Sequence, residues 1–565
     1  MTTFLYFVFF HLALVVPSYG YVNKYVAKKT NNGLLLVIVA YISSVLIFGS
    51  ISAGSYLTGL DNRIGRYILI VYIAYGVYLF IKDKAHTNLA RQWFGIGAVV
   101  LCSLFATLYV SLPYSSSTLI VPDPEPRQGR NYDTLNVKSL NLSKTQANDN
   151  YVPYRQAQFI INKSDIANDS FIEEWGVHFF QRTPLMGTVA AGYFILLNDS
   201  LPIDYTWSET GGDPGNTYLK FQLLSHIMNS LFLLPALLLI TRLLSAKTAT
   251  LTILFLIPSQ FFLYNNVFSW PKSFTAFFML LSFYFLLSKN KKSVLLASLV
   301  AGLGYLSHDL AILYAGSGFV YLLSEKRYRQ SLYYAIIPVL FAAPWFVMSK
   351  LLIGRPSSFI YYPFSIHDIP QTDKLNEILK EFFATSPLRL IQIRLESLFY
   401  LLSPYQLIYH EGGQLLHRRI WASSIFSVPG SIGYALIVPT VVGLWKRLVP
   451  NRFLILVFGP IVLSTIVIGW PKGLGSLHFA QGSVVLLTAI GVHALTKFKN
   501  GLLLLPTFLV GMLQLTLFVL FSFDFNVEQW FTSITSMIII TLFSGIAILC
   551  SFGIANINKF PKRQK

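Results

Sequence analysis

Five positions carry side chains able to move a proton or hold an anion in a chain that is otherwise largely apolar: Asp149, Arg182, Lys272 and the adjacent pair His308 and Asp309. A carboxylate at the water's edge can accept a proton, and an imidazole can accept or donate one. A guanidinium or ammonium can take up charge that develops on a leaving oxyanion. Each position also has a plainer use. Asp149 would cap a helix, Arg182 and Lys272 would anchor helices at an interface, and His308 and Asp309 would satisfy each other.

Asp149 and Arg182 fall in residues 114–220, the one long polar segment, which holds 12 of the 24 acidic residues. Pro153 is placed to open a helix through Ile161, which puts Asp149 just before a helix amino terminus, with Tyr154 and Gln158 on that helix. Pro184 opens a second short helix, Leu185 to Leu197. Lys272 lies in Trp270-Pro271-Lys272, a triplet repeated at Trp470-Pro471-Lys472, at predicted outer ends of apolar runs. A later imidazole, His478, follows the second triplet.

The elements that must position these residues are membrane helices. Apolar residues make up 54% of the chain and charged residues 12%, and runs such as Phe94 to Leu112 approach the roughly 20 residues that span a hydrocarbon core. A soluble fold would need many helices apolar on every face, whereas a bilayer accounts for all of them. The net charge of +19 does not imply nucleic acid. The basic residues form short clusters in alternate loops, from Lys24, Lys28 and Lys29 to Lys559, Lys562, Arg563 and Lys565. Only Asp83 and Glu325 are acidic there, as the positive-inside rule expects.

This reading gives an all-α polytopic membrane protein of about 15 spans. Four precede the polar segment, near 3–20, 33–55, 67–81 and 94–112. Eleven follow, near 221–241, 249–265, 273–288, 293–307, 310–323, 332–352, 427–444, 453–469, 479–495, 501–522 and 531–556. The first run lacks a basic leader region and reads as a retained helix. A second outer segment, 353–426, holds two amphipathic helices, Asp373 to Phe383 and Pro387 to Leu402, separated at Ser386-Pro387. It also contains Arg355, Arg394, Arg418 and Arg419, suited to phosphate or to lipid headgroups. The expected organisation is 1–93 as additional N-terminal helices, 94–352 as the module carrying loop 114–220, 353–426 as an outer amphipathic segment of interfacial helices, and 427–565 as C-terminal helices.

Cys102 and Cys550 both lie inside apolar spans, so no disulfide or cysteine metal site is expected. Asp123-Pro-Glu125 is an acid-x-acid pair open to a divalent cation, but it fits an extended proline-rich loop equally well, and no metal is assigned. Asn141, Asn162, Asn168 and Asn198 each begin an Asn-x-Ser triplet, which matters only in a glycosylating host.

The order Asp149-Asn150-Tyr151, Tyr154, Gln158 and then Arg182-Thr-Pro-Leu-Met resembles the first outer loop of C-type, polyprenyl-phosphate-sugar-dependent glycosyltransferases, among them protein O-mannosyltransferases and aminoarabinose transferases. The likeness continues through the basic turn at Arg242, Pro258, Trp270-Pro271-Lys272 and His308-Asp309. It covers about a third of the chain, from Asp149 to Leu323, with a weaker echo at His478. The pattern departs in three places: Asn150 stands where a second carboxylate is common, Phe479 follows His478 where a basic residue is common, and about three extra spans precede the loop.

The resemblance implies transfer of one sugar, with inversion, from a polyprenyl-phosphate donor to a glycan, lipid or protein acceptor on the extracytoplasmic face of the plasma (inner) membrane. Asp149 would be the catalytic base, and Arg182, Lys272 and His308 would bind donor phosphate. Tyr154, Asp309, Arg355 and His478 would be further site candidates. No organic cofactor or nucleic-acid partner is implied. A lipid-linked oligosaccharide transporter or flippase, or a polysaccharide polymerase or ligase, would share many of these features.

Overall fold

The computed structural model describes residues 2–30, 32–111, 152–165, 182–201, 217–267, 270–353, 364, 366, 375–403, 427–468, 480–497 and 503–522. These residues form helices and turns and contain no strand. Five helices are long and apolar enough to cross a membrane, six if one bent pair counts as a single span, and eight shorter apolar helices accompany them. The all-helical membrane architecture expected from composition is therefore present among the described residues.

In chain order the helices are α1 (Thr2–Tyr25), α2 (Gly33–Thr58), α3 (Asn62–Lys82), α4 (Ala85–Ala90), α5 (Trp93–Ser111), α6 (Val152–Asn162), α7 (Leu185–Leu197), α8 (Thr217–Ser230) and α9 (Leu233–Leu243). They continue as α10 (Ala246–Leu256), α11 (Gln260–Val267), α12 (Lys272–Leu286), α13 (Lys291–Ser307), α14 (Ala311–Ser324), α15 (Tyr328–Ile353), α16 (Leu375–Ala384) and α17 (Pro387–Leu402). The last are α18 (Val428–Ile432), α19 (Ile437–Trp445), α20 (Phe453–Leu463), α21 (Gln481–Thr496) and α22 (Leu504–Ser522). Several starts are fixed by side chains that accept otherwise orphaned N–H groups: Asn32 from Leu35, Asp61 from Arg63, Ser245 from Thr248, Asn290 from Lys292 and Ser386 from Arg389.

The middle of the bundle is α8 with α9. Of the apolar window in 217–243, 94% is buried, against 22% in α3 and 28% in α15, which lie at the periphery. One buried core runs from Phe7 in α1 to Ile490 in α21, so α1–α3 share it with the later helices. Glycines let backbones meet: a Cβ on Gly192 of α7 would lie 2.5 Å from the Phe48 carbonyl oxygen of α2, and one on Gly76 of α3 would lie 2.6 Å from that of Pro17 in α1. Small residues at such crossings are what helix packing in lipid requires, because no hydrophobic driving force remains between helices there.

Two expected continuous spans are broken. The run 249–265 bends by 62° between α10 and α11, around Pro258, whose ring and missing N–H interrupt the ladder. The run 427–444 breaks at Gly433, whose φ of 87° suits glycine, and resumes through a 3-10 turn into α19. Gln514 of α22 bridges both breaks: its amide nitrogen reaches Gln260 Oε1 at 3.0 Å and the Gly430 carbonyl at 3.1 Å, and its oxygen accepts from the Tyr434 N–H at 3.3 Å. The expected amphipathic pair is observed as α16 and α17, and α17 buries Ile393, Ser397 and Leu401, spaced by four, against α18 and the π turn at 464–468. The expected final span, 531–556, lies outside the described residues.

The helix connections sort to two ends. Lys24 pairs with Asp83 at 3.7 Å, Arg452 with Glu325 at 2.9 Å, and the Arg327 guanidinium donates to the Leu286 and Ser288 carbonyls. This is the basic end. The opposite end gathers the starts of α1, α3, α7, α8, α12 and α14, and the site residues lie there.

Candidate functional site: a buried cationic cluster

Four of the sequence candidates meet at this opposite end. Arg182 precedes α7 and is held there by its carbonyl, which accepts from Gln156 Nε2 of α6 at 2.8 Å. Gly187 is what lets α6 lie this close, since a Cβ there would fall 2.5 Å from the Gln156 side chain. The Arg182 guanidinium stands 5.6 Å from the centre of the Trp270 ring, and Lys272 Nζ stands 3.4 Å from the same centre. One indole thus serves two cations, a contact strengthened when the cation is desolvated.

Both cations are buried, Arg182 at 9% exposure and Lys272 at 4%. Lys272 is also the first residue of α12, where the helix dipole favours an anion over a cation. The placement is intelligible if the amino terminus of α12 and the ammonium both face an anion.

His308 ends α13 in an extended conformation, and Asp309 follows it into the turn before α14. The imidazole Nδ1 lies 2.6 Å from Asp309 Oδ1. The Leu310 N–H lies 3.3 Å from the same nitrogen, but Nδ1 cannot donate to one and accept from the other. The shorter contact decides that Nδ1–H donates to the carboxylate. Nε2 is then the acceptor of a neutral ring, buried and without a hydrogen-bond partner among the described residues.

Burial lowers the His308 pKa, Asp309 pulls it back up, and Arg182 and Lys272 push it down again, so that it lies below the ordinary imidazole value. Burial alone would raise the Asp309 carboxyl, but His308 and then Arg182 outweigh it and hold it below the usual carboxylate range. Among the described residues the resting cluster therefore holds two cations, a carboxylate and a neutral imidazole.

Tyr154 belongs to a neighbouring cluster. Its hydroxyl pairs with Thr217 Oγ1 at 2.7 Å, and its ring packs edge-on against Tyr218. One turn along α8, Lys220 forms an ion pair with Asp199 at 2.9 Å and lies 4.7 Å from the centre of the Tyr6 ring. Arg155 of α6 is buried against Phe159. Among the described residues this end thus gathers four buried cations, Arg155, Arg182, Lys220 and Lys272, with the carboxylates Asp199, paired to Lys220, and Asp309, paired to His308.

Sequence reading missed Arg155, Gln156 and the Lys220–Asp199 pair. Lys220 sits at the junction of loop and span, where a lysine looks like a boundary marker. Asp149, Arg355 and His478 lie outside the described residues, as do Lys472 and the Asp123-Pro-Glu125 pair. Among the described residues no three His, Cys, Asp or Glu side chains are grouped to hold a metal ion.

Comparison with family models, curated proteins and solved structures returns no match to this chain.

Proposed function

We propose that the protein is a membrane glycosyltransferase of C-type architecture, with about 15 spans, that moves one sugar from a polyprenyl phosphate to an acceptor hydroxyl on the extracytoplasmic face. The observation that carries this reading is the convergence of buried Arg182 and Lys272 on Trp270, beside the His308–Asp309 pair. In the reaction the bond from the anomeric carbon to the phosphate oxygen breaks as the acceptor oxygen attacks from the opposite face. The departing phosphate gains charge, which Arg182 and Lys272 neutralise in a site that water does not screen.

The acceptor proton passes to a carboxylate, assigned to Asp149 by resemblance. His308 enters in a second way. An arriving phosphate brings the negative charge that favours imidazolium, so Nε2 would gain a proton and donate to a phosphate oxygen while Asp309 holds Nδ1. The lipid tail would lie between spans, leaving only the head to be desolvated by protein.

One observation favours a second reading. Two broken spans, α10–α11 and α18–α19, face each other across a cleft lined by Pro258, Gln260, Gly430, Gly433 and Gln514, and discontinuous helices are a feature of transporters. A lipid-linked glycan flippase would use the same cations without breaking a bond.

The test supplies purified protein in liposomes with polyprenyl-phosphate sugars and candidate acceptors, and compares Asp149→Asn and Lys272→Met with the parent. The transferase reading expects glycosylated acceptor from the parent and a deep loss in both variants. Movement of donor between leaflets with no free polyprenyl phosphate supports the transporter, and transfer that survives Asp149→Asn unchanged removes Asp149 as base.

A further inference from the structure

We propose that the basic end carries a separate binding site for the phosphodiester headgroup of an anionic phospholipid, in a cleft between the ends of α9, α12, α14 and α20. The cleft has a volume of about 410 Å³ and is lined by Tyr321, Glu325, Arg447, Asn451 and Arg452. It is independent of the transferase reading, because its residues lie at the other end of the bundle from the Trp270 cluster.

Charge is the first argument. Arg452 is tied to Glu325 at 2.9 Å, while Arg447 makes no ion pair among the described residues. Two further arginines stand behind the cleft and close off the carbonyl end of α12: Arg242 donates to the Tyr284 carbonyl, and Arg327 donates to those of Leu286 and Ser288. Among the described residues four guanidiniums therefore surround one carboxylate, and the surplus is suited to bidentate recognition of a phosphate.

Backbone conformation is the second. The N–H of Leu448 bonds to the Gly443 carbonyl and that of Arg447 to the Leu444 carbonyl, the closing pattern of a helix that ends in a left-handed residue. Glycine is the usual occupant of that position, yet here it is Arg447, at φ 52°. Lys326 repeats the arrangement at the end of α14, at φ 58°. Lys84 and Lys163 adopt the same conformation elsewhere, so what distinguishes Arg447 and Lys326 is that two such cation-bearing positions flank one cleft.

Setting is the third, and it selects a lipid over a soluble anion. The helices that form the cleft expose Val320 and Leu323 on α14 and Val441 on α19 within two turns of it, and Trp445 and Tyr328, at 78% and 64% exposure, sit beside it at the helix ends. Exposed apolar faces topped by aromatic rings and cations mark the boundary between hydrocarbon and headgroups. A basic pocket between helices at that level is where an anionic headgroup docks.

The experiment uses the full chain in nanodiscs of phosphatidylcholine alone or mixed with phosphatidylglycerol, and reads the thermal unfolding midpoint together with lipids retained in native mass spectrometry. Phosphatidylglycerol should raise the midpoint of the parent and co-purify with it. The double variant Arg447→Gly, Arg452→Gln should lose both effects. In phosphatidylcholine, Arg447→Gly alone should unfold no earlier than the parent, because glycine relaxes the left-handed backbone. Should loss of the Glu325 partner prevent the double variant from folding, the single variant, with a reduced phosphatidylglycerol response, carries the comparison. An equal response in parent and variant, or none in either, overturns the proposal. A rise of the same size when inorganic phosphate is added to phosphatidylcholine nanodiscs overturns the lipid assignment in favour of a soluble anion.

Discussion

The two ends of the bundle use cations in opposite ways. At the basic end Arg447 and Arg452 are exposed, Arg242 and Arg327 cover the last carbonyls of α12, and Lys82, Lys291 and Lys446 lie near the rings of Tyr78, Tyr333 and Trp445. There most of the side chains complement helix carboxyl termini, which favour positive charge; Lys291 begins α13 but is exposed, so water screens it. At the opposite end Arg182 and Lys272 are buried, and Lys272 opposes the dipole of the helix it begins. The first arrangement is what topology demands of any multi-spanning chain. The second costs desolvation and dipole energy, a cost that the proposed function assigns to binding of a phosphate.

The largest effect expected from disturbing this contrast is on stability. Asp309→Asn would remove a carboxylate charge that acts on Arg182 and release the His308 Nδ1 proton from its acceptor. A loss of about 3–5 kcal/mol in unfolding free energy is expected, to be read from denaturant unfolding in detergent. A loss below the level of an ordinary surface substitution would mean that the cluster is far better hydrated than its burial indicates.

Next comes activity. Lys272→Met, which keeps length and packing but not charge, should lower sugar transfer by roughly 10²–10³-fold, whereas Lys289→Gln at the exposed basic end should leave it within assay error. Equal losses in the two variants would erase the distinction between the ends.

Packing follows. Gly192→Val places carbon against the Phe48 carbonyl and should destabilise by about 1–3 kcal/mol. Gly97→Ala, with open space around its Cβ, should stabilise α5 by about 0.5–1 kcal/mol. Thermal melts in one detergent decide both.

The smallest effect is on pH dependence. His308 and Asp309 both have folded pKa values below their ordinary ones. Below the ordinary imidazole pKa of about 6.5 the unfolded chain therefore binds more protons than the folded one, and stability should fall as pH falls. His308→Gln removes the imidazole's share, so its stability should decline less steeply between neutral pH and the carboxylate range. An unchanged slope would show that His308 does not titrate on unfolding as described.

Helix positions were largely legible because hydropathy sets them. Leu185–Leu197 and Pro387–Leu402 fall at their expected bounds, each opened by a proline or by Ser-Pro. The breaks at Pro258 and Gly433 were not legible, since apolar residues run through both and the polar group that bridges them, Gln514, is far away in sequence. The site was legible as separate residues only. Arg182, Lys272 and His308 stand out individually as polar groups among apolar runs, but that Arg182 and Lys272 share one indole and both act on His308 depends on how α7, α12 and α13 pack, which no local pattern encodes. Lys220 was hidden because its partners, Asp199 and Tyr6, come from a loop and from α1.

The most direct test of the central claim is a cryo-electron microscopy map of the full chain with bound polyprenyl phosphate. The account predicts phosphate density within hydrogen-bonding distance of Arg182 and Lys272, beside His308, with the isoprenoid tail leaving between spans. Phosphate density confined to the arginine cleft at the other end, with the Trp270 cluster closed on itself, would contradict it.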